Sequence, residues 1–166
     1  MTFVSYEPRT DIQRKALDTV SARHGGYFLF GCWGTGKTHL LVASVIRAVQ
    51  SDIISAFISA PKLLDTIRKA GRENDSELEV LFHSIPYLAV DDIGKQKDTD
   101  WASERLFLLL DERYRLSQAG QCCTSFTSNL PLEKLAEKID GAIVDRIAGM
   151  CKEVFVDGTS YRRLKK

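Results

Sequence analysis

A phosphate-binding motif lies close to the start of the chain. Residues 31–38 read Gly-Cys-Trp-Gly-Thr-Gly-Lys-Thr, which matches the spacing Gly-x-x-x-x-Gly-Lys-Thr. Such a loop points backbone N–H groups at a polyphosphate, while its lysine reaches the β and γ phosphates and its last threonine ligates Mg²⁺. The residues expected to contact the nucleotide are Gly31, Cys32, Trp33, Gly34, Thr35, Gly36, Lys37, Thr38 and His39. The pattern predicts a nucleoside triphosphate site; the alternative is a glycine-rich turn before a helix.

A pair of carboxylates is the second chemical feature. Leu88-Ala89-Val90 is an apolar run typical of a strand, and it ends in Asp91-Asp92, the pattern of a Walker B element. We expect Asp91 to hold Mg²⁺ beside Thr38, and Asp92 to polarise the attacking water as general base. Because the side chain of Asp92 is shorter than that of a glutamate, it holds the attacking water less well. We therefore expect slow, partner-dependent turnover. Two acids at a strand end are also compatible with a solvated turn.

A polar residue follows another apolar run later in the chain. Ser128-Asn129 ends the run that begins at Cys122. If this strand lies beside the first one, Asn129 can orient the same water or touch the γ phosphate. A turn-forming asparagine before Leu130-Pro131 is the alternative interpretation.

The composition indicates an ordinary folded domain. The chain has 166 residues and a net charge of +1, which neither supports nor excludes a nucleic-acid partner. It has no apolar run that could span a bilayer and no signal peptide, so we expect no membrane partner and a cytoplasmic location. Its four cysteines, Cys32, Cys122, Cys123 and Cys151, lack the paired spacing of a zinc site or a disulfide framework.

Strand-like and helical patterns alternate along the chain. The apolar runs predict strands over residues 27–30, 53–58, 86–90, 122–128 and 152–156, and the longest helical pattern covers residues 100–116. This alternation predicts a parallel sheet with helices on both faces. We expect one domain over residues 1–166, with an extended lead-in over residues 1–10 and a short basic tail over residues 157–166.

Together these motifs resemble the AAA+ ATPases, and more closely the bacterial replicative-helicase loaders of the DnaC/DnaI type, relatives of the IstB-type transposition ATPases. The resemblance covers nearly all 166 residues. Besides the phosphate loop it includes the aromatic lead-in from Phe3 to Pro8. The remaining motifs are Asp91-Asp92-Ile93-Gly94, Thr127-Ser128-Asn129-Leu130, Val144-Asp145-Arg146-Ile147 and Gly158-Thr159-Ser160-Tyr161-Arg162.

The resemblance implies a P-loop NTPase fold of the AAA+ type, with a five-stranded parallel sheet in the order 5-1-4-3-2. It implies Asn129 as sensor 1, Arg146 as an arginine finger for the γ phosphate of a neighbouring subunit, and Arg162 as the sensor 2 arginine. Hydrolysis would then depend on self-association into an oligomer. Each arginine is also compatible with a surface ion pair, such as Arg146 with a nearby acidic residue. A preference for ATP follows from the resemblance, with Phe3 and Tyr6 as candidates to stack near the base.

The implied function is a Mg²⁺-dependent ATPase that controls delivery of a replicative helicase onto single-stranded DNA. In this family the segment after the second strand contributes to DNA binding, and its basic residues here are Lys62, Arg68, Lys69 and Arg72. A basic helix face is also often merely solvated. The sequence departs from full-length loaders in two ways. We expect only a short lead-in before the ATPase core and no full helical lid domain after the fifth strand.

Three other functions are alternatives to the helicase loader. An IstB-like transposition ATPase acting on double-stranded target DNA shares these motifs. A catalytically weak nucleotide-binding scaffold would bind ATP without hydrolysing it. A small P-loop kinase is disfavoured, because residues 60–85 contain neither an arginine-rich lid nor an acceptor pocket, and because Asn129 and Arg146 would then have no role.

Overall fold

Strands and helices alternate through the chain, as the sequence predicts. The computed structural model describes residues 1–22, 25–73, 76–97 and 99–162. The strands in this part are β1 (Tyr27–Phe30), β2 (Ser55–Ser59), β3 (Tyr87–Asp91), β4 (Cys123–Ser128) and β5 (Lys152–Phe155). The helices are α1 (Asp11–Ala22), α2 (Lys37–Gln50), α3 (Ala60–Glu73), α4 (Ser76–Ser84), α5 (Asp100–Gln118), α6 (Leu132–Ala136) and α7 (Gly141–Met150). No helix of the described ranges is both long and apolar enough to cross a membrane.

The strands form one parallel sheet in the order β2-β3-β4-β1-β5. This is the predicted order 5-1-4-3-2 read from the other side, so the prediction is confirmed. Phe30 of β1 lies opposite Ser128 of β4, and Val90 of β3 lies opposite Phe126 of β4. The carboxyl ends of these three strands therefore meet at one edge of the sheet. At this edge lie the Asp91-Asp92 pair at the end of β3, the phosphate loop after β1 and Asn129 after β4.

Helices cover both faces of the sheet, which gives a three-layer α/β/α arrangement. One face of the sheet packs against α1 and α2, and its buried residues include Leu29, Leu40, Leu41, Ala89 and Val154. The other face packs against α3, α5 and α7, and its buried residues include Phe28, Leu63, Leu88, Val90, Leu109, Phe126 and Ile147. Both layers are continuous, because residues that alternate along each central strand are apolar on both sides.

Some boundaries differ from those predicted by a few residues. Strand β2 begins at Ser55 rather than residue 53, because the Ile53 N–H still donates to the Ala48 carbonyl at the end of α2 (3.0 Å). Helix α5 runs two residues past the predicted end, to Gln118. Gly120, with φ 70°, then adopts the left-handed conformation that terminates the segment.

A buried arginine fixes the amino-terminal end of β4. Arg113 of α5 is 0% exposed and donates to Thr124 Oγ1 (2.8 Å) and to the Cys123 carbonyl (2.9 Å), both on β4. It also donates to the carbonyls of Phe82 (2.9 Å) and Ile85 (3.0 Å) near the end of α4. Burial lowers the pKa of its guanidinium below the usual value. Arg113 thus ties α4 and α5 to the strand whose other end reaches the candidate site.

Candidate active site

The phosphate loop connects β1 to the first turn of α2, which is the context that the motif requires. Gly36 precedes the helix with φ 99°, a conformation that favours glycine. A Cβ at this position would lie 2.6 Å from the Tyr6 ring. The backbone therefore needs a glycine here both for its φ angle and for space. The loop's tip is open to solvent, since Trp33 is 66% exposed and Cys32 is also exposed.

The ammonium of Lys37 lies inside the loop. Its Nζ donates to the carbonyls of Gly31 (2.8 Å) and Cys32 (2.6 Å), and the residue is only 6% exposed. Burial lowers the pKa of Lys37 from 10.5 to about 8, although the nearby Asp92 carboxylate partly opposes this shift. A buried cation held mainly by carbonyl groups is suited to bind an anion that enters the loop.

Thr38 and Asp91 meet at the base of the loop. Thr38 Oγ1 donates to Asp91 Oδ1 (3.0 Å) and lies 3.3 Å from Oδ2. Asp91 is 9% exposed, and its Oδ1 also accepts from Thr127 Oγ1 (2.6 Å). A carboxylate beside a hydroxyl is an oxygen donor set of the kind Mg²⁺ prefers. The two residues proposed from sequence as metal ligands are thus brought together.

Asp92 adopts an unusual backbone conformation next to this carboxylate. Its φ is 60°, in the left-handed region that aspartate and asparagine tolerate better than most residues. Its N–H donates to Thr127 Oγ1 (2.8 Å), and its carboxylate pairs with Lys95 Nζ (2.8 Å). The Asp92 side chain is 32% exposed, so it is open to water, as a general base must be. In this structure, however, Lys95 occupies one of its oxygens.

Asn129 follows β4 directly and is half-buried. Because β4 lies between β3 and β1, Asn129 leaves the sheet between Asp91 and the phosphate loop. The neighbouring Ser128 hydroxyl donates to the Ile93 carbonyl (3.1 Å) and accepts from the Leu130 N–H (3.2 Å). These bonds fix the strand end that carries Asn129.

Both the lead-in and the tail contact the phosphate loop. Tyr6 Oη and Gln13 Nε2 each donate to the Thr35 carbonyl (both 3.2 Å), and the Tyr161 N–H donates to the Gly34 carbonyl (2.9 Å). Tyr161 Oη also lies 3.1 Å from Gln13 Oε1. The sequence predicts an extended lead-in over residues 1–10, but the Tyr6 N–H donates to the Phe3 carbonyl (3.3 Å) across a turn.

Two further predicted contact residues lie at the edges of this arrangement. His39 is half-buried in α2, where its Nε2 lies 2.9 Å from the Thr2 carbonyl and its ring meets the Tyr6 ring edge-on at 5.2 Å. His39 therefore contacts the lead-in. Arg162 is exposed, and its N–H donates to Ser160 Oγ (3.3 Å) beside the phosphate loop. The last part of the predicted basic tail, residues 163–166, lies outside the described residues.

Arg146 makes an ion pair within the chain. It lies on α7, and its Nε and Nη2 each lie 3.0 Å from Asp111 Oδ1 on α5. Its guanidinium also lies over the rings of Phe107 (5.5 Å) and Tyr114 (5.8 Å). Arg146 therefore has an acidic partner, as the alternative interpretation of a surface ion pair predicts. The Arg146 side chain is still 31% exposed, and its role toward a neighbouring subunit stays a prediction.

The candidate DNA-binding residues lie on α3, and three of them have partners. Lys62 and Lys69 both pair with Asp65, at 3.4 and 3.2 Å. The Arg68 guanidinium lies 4.3 Å from the centre of the Trp101 ring. Arg72 is exposed near the end of the helix. Because the Asp65 and Trp101 partners are themselves accessible, this face combines exposed cations with an aromatic ring.

All four cysteines are free. In the described part of the chain, no group of three or more His, Cys, Asp and Glu residues is placed so that it could hold a metal ion. Burial raises the pKa of the Cys123 thiol to about 11. This thiol is therefore protonated and inert near neutral pH.

Sequence reasoning missed two polar residues at the site, Thr127 and Gln13. Both are 0% exposed. In the sequence, Thr127 stands out only as part of the motif Thr127-Ser128-Asn129-Leu130, and its signal is a polar side chain within a buried strand. Gln13 lies on the inward face of α1, where an apolar residue is expected, and this was its signal.

The residues present fit a nucleotide with Mg²⁺. The loop offers a buried cation and glycines at the positive φ angles that its curled backbone requires, and the Thr38–Asp91 pair offers oxygen ligands. These features require no rearrangement of the strands that carry them. The fit is consistent with the chemistry that the two sequence motifs predict.

Several known proteins are similar in sequence to this chain. A putative ATP-binding protein of insertion sequence IS232 from Bacillus thuringiensis subsp. berliner is 29% identical over 90% of this chain and 62% of its own length. The replicative helicase loader DnaI of Bacillus subtilis (strain 168) is 24% identical over 82% of this chain and 47% of its own length. The chain thus spans about half to three-fifths of these relatives.

The crystal structure of the DnaC helicase loader shares the fold. It superposes with a TM-score of 0.84 at 22% identity, covering 94% of this chain and 96% of that one. The AAA+ P-loop fold, shared with DnaC, is therefore confirmed, and so is the sequence similarity to DnaI and to insertion-sequence ATP-binding proteins. The IstB-like ATP binding protein family matches residues 8–166, and the chain belongs to that family.

Proposed function

We propose that the chain is a Mg²⁺-dependent ATPase that uses its nucleotide state to control delivery of a replicative DNA helicase onto single-stranded DNA. The observation that carries the hydrolytic part is the meeting of Thr38 with Asp91, 3.0 Å apart beside the buried Lys37. Two motifs far apart in sequence converge there on the edge of the sheet where such folds bind ligands. The kinship with DnaI and the fold shared with DnaC support the loader part.

The chain's own residues have distinct tasks in the proposed reaction. The loop N–H groups and Lys37 would hold the phosphates, while Thr38 and Asp91 would hold Mg²⁺. When bound, Mg²⁺ neutralises charge on the phosphate oxygens. Asp92 accepts a proton from the attacking water once Lys95 no longer occupies its carboxylate, and Asn129 orients that water.

Two arginines complete the proposed machinery. We assign Arg146 to the γ phosphate of a neighbouring subunit and Arg162 to the nucleotide of its own subunit. Since Arg146 pairs with Asp111 in the isolated chain, the ion pair must open on assembly. We expect slow turnover without partners, because in the single chain Asp92 is paired with Lys95 and Arg146 is paired with Asp111.

Phosphate release tests the hydrolytic part. Turnover of the purified chain is measured with ATP and Mg²⁺, with and without single-stranded DNA. Lys37→Ala should abolish turnover. Asp92→Asn, which suits the left-handed backbone, should lower kcat by about a hundredfold or more while ATP still binds. Turnover that is undetectable even in the assembled protein, or turnover that Lys37→Ala leaves unchanged, would refute hydrolysis and favour the nucleotide-binding scaffold.

A transposition ATPase is the second candidate, and the similarity to insertion-sequence proteins favours it. The two functions differ in the partner. Nucleotide-dependent binding to a hexameric replicative helicase supports the loader. Filaments on duplex DNA, with bending of that DNA, support the transposition ATPase instead. Lys62→Ala and Arg72→Ala test whether α3 provides the DNA contact in either case.

A further inference from the structure

The hydroxyl of Thr127 lies between the two carboxylate residues of the site. Thr127 is on β4, next to the end of β3, and is 0% exposed. Its Oγ1 donates to Asp91 Oδ1 at 2.6 Å and accepts the Asp92 N–H at 2.8 Å. Its own carbonyl accepts the Ile93 N–H at 2.9 Å. One residue of β4 therefore holds the last residue of β3, Asp91, and the two residues that follow it.

These bonds fix two different properties. The bond to Asp91 orients the carboxylate, whose Oδ1 also accepts from Thr38 at 3.0 Å. The other Asp91 oxygen, Oδ2, lies 3.3 Å from Thr38 Oγ1. The bond to the Asp92 N–H supports a backbone with φ 60°, which aspartate rarely adopts without such support.

We propose that Thr127 is a positioning residue for the ATPase proposed above, on which this inference rests. Its hydroxyl orients Asp91 for Mg²⁺ and, through the same oxygen atom, holds Asp92 at the end of β3. Mutation of a residue that orients a metal ligand typically lowers metal affinity or activity by about tenfold to a hundredfold. The connection also runs along β4, because Thr127 is two positions before Asn129. The carboxyl end of β4 then positions the metal ligand Asp91, the general base Asp92 and the sensor residue Asn129.

A purely structural hydroxyl is the competing explanation, and the same strand provides its control. Ser125 is also 0% exposed and lies two residues earlier on β4, on the same side of the strand. Its Oγ accepts from the Tyr27 N–H and from Tyr87 Oη, both at 3.0 Å, toward the opposite end of the sheet. Ser125→Ala removes a buried hydroxyl without touching either carboxylate.

The test compares Thr127→Val, Thr127→Ser and Ser125→Ala with the wild type. The readout is the Mg²⁺ concentration at the midpoint of the rise in Tm that a non-hydrolysable ATP analogue produces. Thr127→Val should raise this midpoint about tenfold or more, and lower kcat, while its affinity for the analogue in EDTA stays unchanged. Thr127→Ser should restore the midpoint. Ser125→Ala should lower Tm in the absence of ligand and leave the midpoint unchanged.

Either of two results would overturn the inference. One is a wild-type midpoint in Thr127→Val, and the other is a midpoint in Ser125→Ala that rises as much as in Thr127→Val. The readout needs no turnover and no helicase. A wild type that binds Mg²⁺ and the analogue but releases no phosphate would therefore refute the proposed hydrolysis alone.

Discussion

The buried ammonium of Lys37 predicts that ATP binding weakens at alkaline pH. In the nucleotide-free chain, burial lowers the pKa of Lys37 from 10.5 to about 8. Phosphate oxygens in the loop favour the charged form and raise this pKa again. ATP binding above about pH 8 is therefore coupled to uptake of one proton, and it becomes weaker as protons become scarce.

The size of the effect follows from the fraction of charged lysine. With a pKa of about 8, Lys37 is about nine-tenths charged at about pH 7 and about one-tenth charged at about pH 9. The affinity for ATP should therefore fall about tenfold over this interval, which corresponds to about 1.4 kcal/mol. The measurement is a titration with a fluorescent ATP analogue in EDTA, so that no metal contributes.

The same pKa has the opposite effect on folding. Between about pH 8 and 10.5 the unfolded chain binds more protons at Lys37 than the folded chain does, so stability rises with pH in this window. Below the window, the folded protein carries the full cost of the buried charge, about 3 kcal/mol at most. Lys37→Met should therefore stabilise the nucleotide-free protein near neutral pH. Urea unfolding of both proteins in parallel measures this difference.

The control for the pH dependence of ATP binding is Lys37→Arg. Lys37→Arg keeps its charge at all these pH values, so its ATP affinity should not fall as pH rises. Equal ATP affinity of the wild type at the two pH values would refute the reasoning. A Lys37→Met protein less stable than the wild type would refute it too, since the ammonium would then stabilise the loop.

Two further predictions concern arginines. Arg113→Met should lower the free energy of unfolding by at least about 3 kcal/mol, because several buried acceptors lose their donor; urea denaturation measures this, and a loss below about 1 kcal/mol would contradict it. Arg146→Ala should leave ATP binding unchanged but lower the turnover of the assembled protein about a thousandfold. Phosphate release at increasing protein concentration measures this effect. Equal, concentration-independent turnover in both proteins would contradict a finger role.

The sequence predicts the sheet and the core of the site because both depend on local patterns. The motif at residues 31–38 fixes a strand, a loop and a helix, and alternating apolar runs fix the other strands. The resemblance then supplies the strand order, which places the end of β3 beside that loop. These constraints suffice to bring Asp91 to Thr38.

The partners of individual side chains could not be predicted in the same way. The ion pair of Arg146 with Asp111 depends on how α7 crosses α5, and the sequence offers many acidic candidates. The role of Thr127 depends on the register of β4 against β3, where a shift of one residue would turn its hydroxyl to the other face. The contacts of Tyr6 and Tyr161 with the phosphate loop join opposite ends of the chain.

The placement of the two tryptophans gives the protein separate optical probes of its two candidate ligands. Trp33 is 66% exposed at the tip of the phosphate loop. Trp101 belongs to α5, and its ring lies under Arg68, one of the basic residues of α3. The chain contains no other tryptophan. Intrinsic emission in a Trp33→Phe background thus comes from the α3 side alone, and in a Trp101→Phe background from the nucleotide side alone. Occupancy of each region becomes visible without any attached dye.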